Sequence, residues 1–240
     1  MMAKIRLFID HPLAQGQGVA LTPDQVHYLG SVMRQGPGDA LLVFNGRDGE
    51  WLARIERLAK RGGDLVALRQ TAPQRNPPDL WLLFAPIKKA RTDFIVEKAA
   101  EMGAARIVPV QTDHTNSERI RQDRLQAHAV EAAEQCGGTF VPEVADLTPL
   151  GRLLDGWDPA RRILWADEAL AGPAATLAAL PRGPWAILIG PEGGWSESER
   201  ARLSGLGHVT RVSLGPRILR ADTAAVASLA LWQAALGDWG

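Results

Sequence analysis

The sequence predicts two domains: a small β-rich barrel over residues 1–72 and a parallel α/β domain over residues 79–240. Three observations predict this. Before residue 72, short apolar runs are separated by glycine turns. After residue 79, apolar strands alternate with stretches of helical period. Between them, Ala72-Pro73-Gln74-Arg75-Asn76-Pro77-Pro78 carries three prolines, which withhold backbone donors and favour extended chain.

In the front domain Ile5 to Ile9 is a strand. Thr22 caps a helix that begins at Pro23 and runs through Met33, and Gly36-Pro37-Gly38-Asp39 is a turn. Ala40–Phe44, Glu50–Arg57 and Asp64–Leu68 are further strands. Asn45-Gly46 with Asp48-Gly49 separates the first two, and Arg61-Gly62-Gly63 the last two.

In the second domain Leu80 to Ala85 is an apolar strand. A helix follows over 92–102, with Ile95, Ala99 and Met102 on one face, and then a strand from Arg106 to Val110. Residues 121–136 form a helix whose stripe is Leu125, Ala129, Ala132 and Cys136. A short helix over 147–155, a strand from Arg162 to Ala166 and a helix from Pro173 to Leu180 come next. Trp185 to Ile189 is a buried strand that ends in Gly190-Pro191-Glu192-Gly193-Gly194. Ser196 then opens a helix, with Glu199 completing a reciprocal cap. Val209 to Leu214 is a strand ending in Gly215-Pro216-Arg217-Ile218-Leu219-Arg220, and the last helix starts near Asp222. Two such units side by side make a cleft at strand carboxyl ends, where open α/β sheets bind ligands. In the last helix Ala225, Leu229, Trp232 and Leu236 share a stripe while Val226 and Leu231 lie on other faces, so it is buried on several sides, by its own core or by a partner subunit.

The first loop lacks the Gly-Lys-Ser/Thr of a P-loop, and G-x-G-x-x-G is absent. Its glycines let backbone groups approach a flat ring and read its edge. In the second loop Ile218 and Leu219 can cover a ring while Arg217 or Arg220 meets an anion or an enolate-like oxygen; a solvated arginine and a salt bridge are the alternatives. Asp222 is a helix cap or an acid, and Glu192 is a base, a ligand contact or a plain loop carboxylate. Trp195, beside the glycines, borders the pocket. The histidines have no metal-ligand spacing, so no metal is expected.

Net charge is zero, which excludes a strong overall nucleic-acid field, but residues 1–76 hold ten Lys/Arg against seven Asp/Glu and can face an anionic partner. The one cysteine, Cys136, permits no internal disulfide and suits a reducing compartment; its place on an apolar stripe predicts a buried side chain. No apolar run reaches the ~20 residues of a membrane helix, and MMAKIRLFIDHP has no signal-peptide pattern, so a cytoplasmic protein is expected.

Ile187–Glu199 and Leu214–Ala224 together resemble, almost residue for residue, the paired loops of the SPOUT class of S-adenosylmethionine-dependent RNA methyltransferases. The nearest resemblance is to the family that methylates N3 of a uridine in small-subunit 16S ribosomal RNA. Lys88, Arg91, Asp93 and Glu97–Gly103 match its lysine-led helix, and Glu131–Cys136 with Val141–Val144 matches a further stretch. Arg6-Leu7-Phe8 and His27-Tyr28-Leu29 through Arg34, Gly38 and Asp39 resemble its PUA-like RNA-binding β-barrel. The chain departs from the family at Asp222, where Glu is usual, and at Asn116-Ser117-Glu118-Arg119-Ile120, where the family has Arg-Ser-Val.

The resemblance implies a trefoil-knotted parallel sheet, S-adenosylmethionine bound in a bent form, and a homodimer through the C-terminal domain. The substrate it implies is 16S ribosomal RNA or the small ribosomal subunit. Cofactor contacts would come from Leu164, Ile189, Gly190, Pro191, Gly193, Gly194, Leu214, Gly215, Ile218, Leu219 and Thr223. Arg220 would stabilise the uridine anion, with Glu192 or Asp222 taking the proton, and Arg6, Arg34, Arg47, Lys88 and Arg91 would hold RNA. A SPOUT enzyme acting on transfer RNA or a ribose hydroxyl, and a non-catalytic RNA-binding cofactor sensor, are the alternatives.

Overall fold

Alternating apolar residues in the front segment build a five-stranded sheet in the order β1-β3-β4-β5-β2. The strands are β1 (Arg6–Phe8), β2 (Gly18–Leu21), β3 (Ala40–Phe44), β4 (Glu50–Ala59) and β5 (Gly62–Ala72). They belong to a computed structural model that describes residues 5–59, 62–116, 119–170 and 177–240. The strand β1 runs parallel to β3, and the other pairs are antiparallel. Leu41, Val43, Ala53, Ile55, Leu65 and Ala67 point into one core, the period-two pattern of a sheet with one dry face. The helix α1 (Pro23–His27) has the expected Thr22 cap, reciprocated by Gln25, but gives way to a single π turn over Tyr28–Val32 instead of running to Met33. The strand β2 was not expected: its four residues leave too short an alternation to read. Residues up to Asn76 together with Ala133–Phe140 form this unit.

The second unit, Pro77–Ala132 and Val141–Gly240, is an α/β sheet. Its strands are β6 (Leu80–Phe84), β7 (Arg106–Gln111), β8 (Glu143–Val144), β9 (Thr148–Pro149), β10 (Arg162–Ala166), β11 (Trp185–Ile189) and β12 (Val209–Val212). Their order is β12-β10-β11-β6-β7-β8, with β9 beside β7, and every pair is parallel. The helices are α2 (Lys89–Glu101), α3 (Gln122–Cys136), α4 (Leu150–Asp155), α5 (Glu197–Ser204) and α6 (Ala221–Leu236). Successive residues of the central strands feed opposite faces. Leu82, Leu164, Ile187 and Ile189 pack with α2, α3 and α6. Leu83, Ile163, Trp165 and Leu188 pack with α4 and α5. Burial on both faces is why these strands read as continuous apolar runs.

The stripe Ala225, Leu229, Trp232 and Leu236 of α6 is buried within this unit's own core. Gln233, fully buried, donates to the Met102 carbonyl at 2.7 Å and ties α6 to the end of α2. The expected helix over 147–155 begins only at Leu150, because Thr148–Pro149 pairs with β7. The strand expected to reach Leu214 stops at Val212, where the Ser213 hydroxyl accepts from the Gly215 amide at 3.2 Å and turns the chain. Of the helix expected over 173–180, residues 173–176 lie outside the described residues, and Leu177–Leu180 is a turn. Cys136 is exposed, contrary to expectation: the buried stripe of α3 ends at Ala132 and Ala133, one turn before the helix stops. No helix among the described residues is long and apolar enough to cross a membrane.

Candidate active site

In an all-parallel sheet the strand carboxyl ends share one edge, and here β10, β11 and β12 open there into a cavity of about 390 Å³. That lies within the ~300–1,000 Å³ of small-molecule sites. One wall is the chain leaving β10, Ala166 to Glu168 and Leu170. The second is Ile189 to Glu192, and the third is Leu214 to Ala221. Lys88 and Arg91, at the start of α2, complete the rim. The two loops separated in sequence therefore meet across one space.

The first loop is built against rigid neighbours. A Cβ on Gly190 would come within 2.7–2.9 Å of the Trp195 indole. That ring is itself held edge-on against Trp165, with centroids 6.0 Å apart. A Cβ on Gly193 would meet the His114 side chain at 3.0 Å. Gly194 has φ +70, a left-handed conformation that glycine adopts without strain. The Nδ1 of His114 lies 3.1 Å from the Gly193 carbonyl and 3.0 Å from that of Gly194. Carbonyls only accept, so this nitrogen carries the proton. Ser196 caps α5, with Glu199 reciprocating, and its hydroxyl donates to Asp113 at 2.5 Å. The 113–114 turn thus braces the glycine loop from the side.

The second loop carries the charge. Arg220 lines the cavity, is exposed, and has no ion-pair partner among the described residues. It occupies the cap position of α6, so Asp222 is not the cap; the Asp222 carboxylate instead accepts from the Thr223 amide at 2.8 Å. Arg91 joins the two candidate proton acceptors, lying 3.1 Å from Glu192 and 3.7 Å from Asp222. Ile218 is 80% exposed at the rim, while Leu219 packs on the core.

Residues 74–233 match the RNA methyltransferase domain family, and residues 21–68 match the RNA methyltransferase PUA domain. The chain belongs to the RNA methyltransferase family. It is 29% identical to the ribosomal RNA small subunit methyltransferase E of Rickettsia conorii over 94% of this chain and 93% of that one. It superposes at TM-score 0.88 on the ribosomal RNA small subunit methyltransferase E of Neisseria gonorrhoeae bound to S-adenosylmethionine, at 29% identity over 98% and 99% of the two chains. A Legionella pneumophila protein solved with its bound cofactor S-adenosylmethionine gives the same score at 30% identity, over 98% of each chain. The SPOUT-class and PUA resemblances read from the motifs stand with these matches.

In this methyltransferase Ile189, Gly190, Pro191, Leu214, Gly215, Ile218 and Leu219, expected at the cofactor, all line the cavity. Leu164, Gly193, Gly194 and Thr223 do not line it. Leu164 is 1% exposed inside β10, Gly193 and Gly194 abut His114 and Glu168, and Thr223 faces outward from α6. Trp195 sits one layer behind Gly190 and not at the pocket border. Arg34, whose φ is +54, and Arg47 are exposed in the PUA-containing unit. Arg6 is spent internally, against its expected RNA role. It pairs with Glu50 at 2.8 Å, donates to the carbonyls of Ala133, Glu134 and Gly138, and lies 4.6 Å over the Phe44 ring.

Sequence reasoning missed Asp167 and Glu168. Asp167 has a fully buried carboxylate paired with Arg200 and Arg211. Burial alone would push that carboxyl up; the Ala169 amide and the two guanidiniums outweigh it and hold it below the ordinary carboxylate value. Glu168 pairs with Arg200 and accepts from the Trp195 amide at 3.3 Å. Their signal was position: they follow β10 directly, at the same sheet edge as both glycine loops.

Proposed function

We propose that the protein transfers a methyl group from S-adenosylmethionine to N3 of a uridine in 16S ribosomal RNA of the small ribosomal subunit. The observation that carries this reading is the exposed Arg220, without an ion-pair partner among the described residues, beside a cavity with apolar walls and glycine main chain. The walls suit this cofactor. Ile189, Leu214 and Leu219 offer apolar surface to a ring, and Gly190 and Gly215 bring main chain to the cavity wall. Glu192, 39% exposed at the cavity, is the carboxylate that can face positive charge. The names of the relatives support ribosomal RNA as the substrate class.

When bound, S-adenosylmethionine supplies an electrophilic methyl on a charged sulfur. The protein's task is alignment and charge. Uracil N3 becomes nucleophilic only when its proton leaves, and the charge then rests largely on the flanking carbonyl oxygens. Arg220 stabilises that charge at the rim. Glu192 or Asp222 accepts the proton, each of them released from Arg91 to do so. N3 lies on the pairing edge, so the base is unpaired or flipped when it enters. Lys88, Arg34 and Arg47 hold RNA backbone. The homodimer, the cytoplasmic setting and the trefoil threading implied by the resemblance belong to the same reading. Supporting the threading, β12 lies at the sheet edge while α6, next in sequence, packs back on α2 and β11.

The test is transfer of labelled methyl from S-adenosylmethionine to unmodified small-subunit ribosomal RNA, followed by digestion to nucleosides. N3-methyluridine is expected. A ribose-methylated product, label taken up by transfer RNA instead, or binding without transfer would overturn the reading.

A further inference from the structure

A second cavity of about 220 Å³ opens at the same sheet edge, beyond the ends of β6 and β7. The first turn of α2 divides the two spaces: Lys88 and Arg91 line the first, while Lys89, Thr92 and Asp93 line the second. Its floor is apolar, formed by Ile87, Ile120 and Leu125. The floor at Ile87 is fixed, because the buried Thr92 hydroxyl accepts from the Ile87 amide at 3.0 Å and donates to its carbonyl at 3.1 Å. Its cations are Lys89, Arg119, Arg121 and Arg124. Arg124 is tied to Asp93, whereas Arg121 is 76% exposed and pairs with an equally open Asp123, a pair worth little in water.

The charge distribution is the second observation. Residues 77–132 and 141–240 carry 17 Lys/Arg against 19 Asp/Glu, so this unit is slightly acidic as a whole. Yet Lys88, Arg91, Arg217 and Arg220 at the first cavity and the four cations at the second put eight of the 17 along one edge, against four lining carboxylates, Asp93, Asp167, Glu168 and Glu192. A cationic track on an acidic domain, with an apolar slot between its charges, matches single-stranded nucleic acid: phosphates outside and a base face inside. A volume below that of a cofactor site suits one base.

We propose that the second cavity is a subsite for an unpaired ribonucleotide flanking the one that reacts. Its base rests on Ile87, Ile120 and Leu125, and its phosphate lies between Lys89 and Arg121. The assignment rests on the reading that the first cavity receives the reacting nucleotide, and the test separates the two.

The double variant Lys89→Ala/Arg121→Ala changes only exposed side chains. Its affinity for unmodified small-subunit ribosomal RNA is measured by anisotropy across a salt series, with calorimetric S-adenosylmethionine binding as the control for folding. RNA affinity should fall about tenfold or more, and the salt slope should drop by about 0.7, the value for one lost single-strand phosphate. Cofactor affinity should not move. Photocrosslinking of 4-thiouridine-containing RNA should mark peptides 86–93 or 119–125. An unchanged affinity and slope, crosslinks confined elsewhere, or wild-type protein that does not bind the RNA would overturn the subsite. So would uridine monophosphate alone binding here and being lost in the variant while RNA binding persists, which would make this a free-nucleotide site. A changed sedimentation coefficient with RNA affinity intact would make it a subunit contact and overturn it too. If the slope falls as stated but no N3-methyluridine forms, the subsite stands and the reaction assigned above fails.

Discussion

Replacing Gly190 by Ala tests whether the cavity wall is as rigid as its packing implies. The added methyl would sit 2.7 Å from Trp195 Cε2 and 2.9 Å from both Cζ2 and Nε1. The ring cannot retreat freely: Trp195 is 5% exposed and its edge meets Trp165, which is fully buried. Overpacking of this kind costs ~1–3 kcal/mol. The free protein can relieve part of that by shifting the glycine loop, but ligand binding would require the loop to return, so the same energy reappears as weaker binding. At ~1.4 kcal/mol per decade, S-adenosylmethionine should bind about tenfold to a hundredfold more weakly. Urea denaturation reads the first effect and calorimetry the second. A phenyl ring lacks the outer edge of the indole that carries Cζ2, so Trp195→Phe should partly rescue Gly190→Ala, and the double variant should be less destabilised than the sum of the singles. Stability and cofactor affinity both unchanged in Gly190→Ala, or strict additivity in the cycle, would refute the claim that Trp195 sets the position of this loop.

Other substitutions probe the remaining parts of the site. Arg220→Ala should lower turnover by ~10²–10³, the loss typical of a removed oxyanion donor, with cofactor affinity nearly constant; equal losses in both would remove its transition-state role. His114→Ala should weaken S-adenosylmethionine binding by about threefold to tenfold, the worth of roughly one hydrogen bond, and His114→Asn, whose amide N–H can replace the Nδ1 donor, should restore it. Asp167→Asn should destabilise the fold by ~1.5–3 kcal/mol, the scale of hydrogen bonds to a charged group. Because the Asp167 carboxyl is depressed in the folded protein, its contribution is complete above the unfolded value of about 3.9 and is lost as pH falls through the lower folded value. The stability gap between wild type and Asp167→Asn should therefore narrow below about pH 4 in acid titration, and a gap that widened there would contradict the assignment.

What could be read from the sequence was what local pattern encodes. Trp185–Ile189 announced a strand buried on both faces, its glycines announced a loop at the ligand edge, Thr22 announced a helix cap and Ser196 a capping box, and the structure contains both. What could not be read depends on partners far along the chain. Arg6 looks like any surface cation until Glu50, 44 residues on, and the carbonyls of Ala133, Glu134 and Gly138, 127 to 132 residues on, close around it. Asp167 meets Arg200 and Arg211, 33 and 44 residues later. Cys136 had the right helical phase for burial, but phase says nothing about where the neighbouring layer ends.

Those distant pairings explain how an acidic domain can present a usable positive charge at its ligand edge. Arg200 and Arg211 are consumed by Asp167 behind the cavity, so they fix the wall and add little field in front of it. Arg91 is shared between Glu192 and Asp222, and all three side chains are 21–39% exposed, so each of these pairs is worth only ~0–1 kcal/mol. An incoming phosphate or carbonyl can therefore take Arg91 from its carboxylates at small cost, which leaves a carboxylate beside the cavity with its lone pairs free. Arg220 has no such partner among the described residues and is available at once. One edge thus holds cations at three levels of commitment, structural, exchangeable and free, and only the last two face the space where a substrate enters.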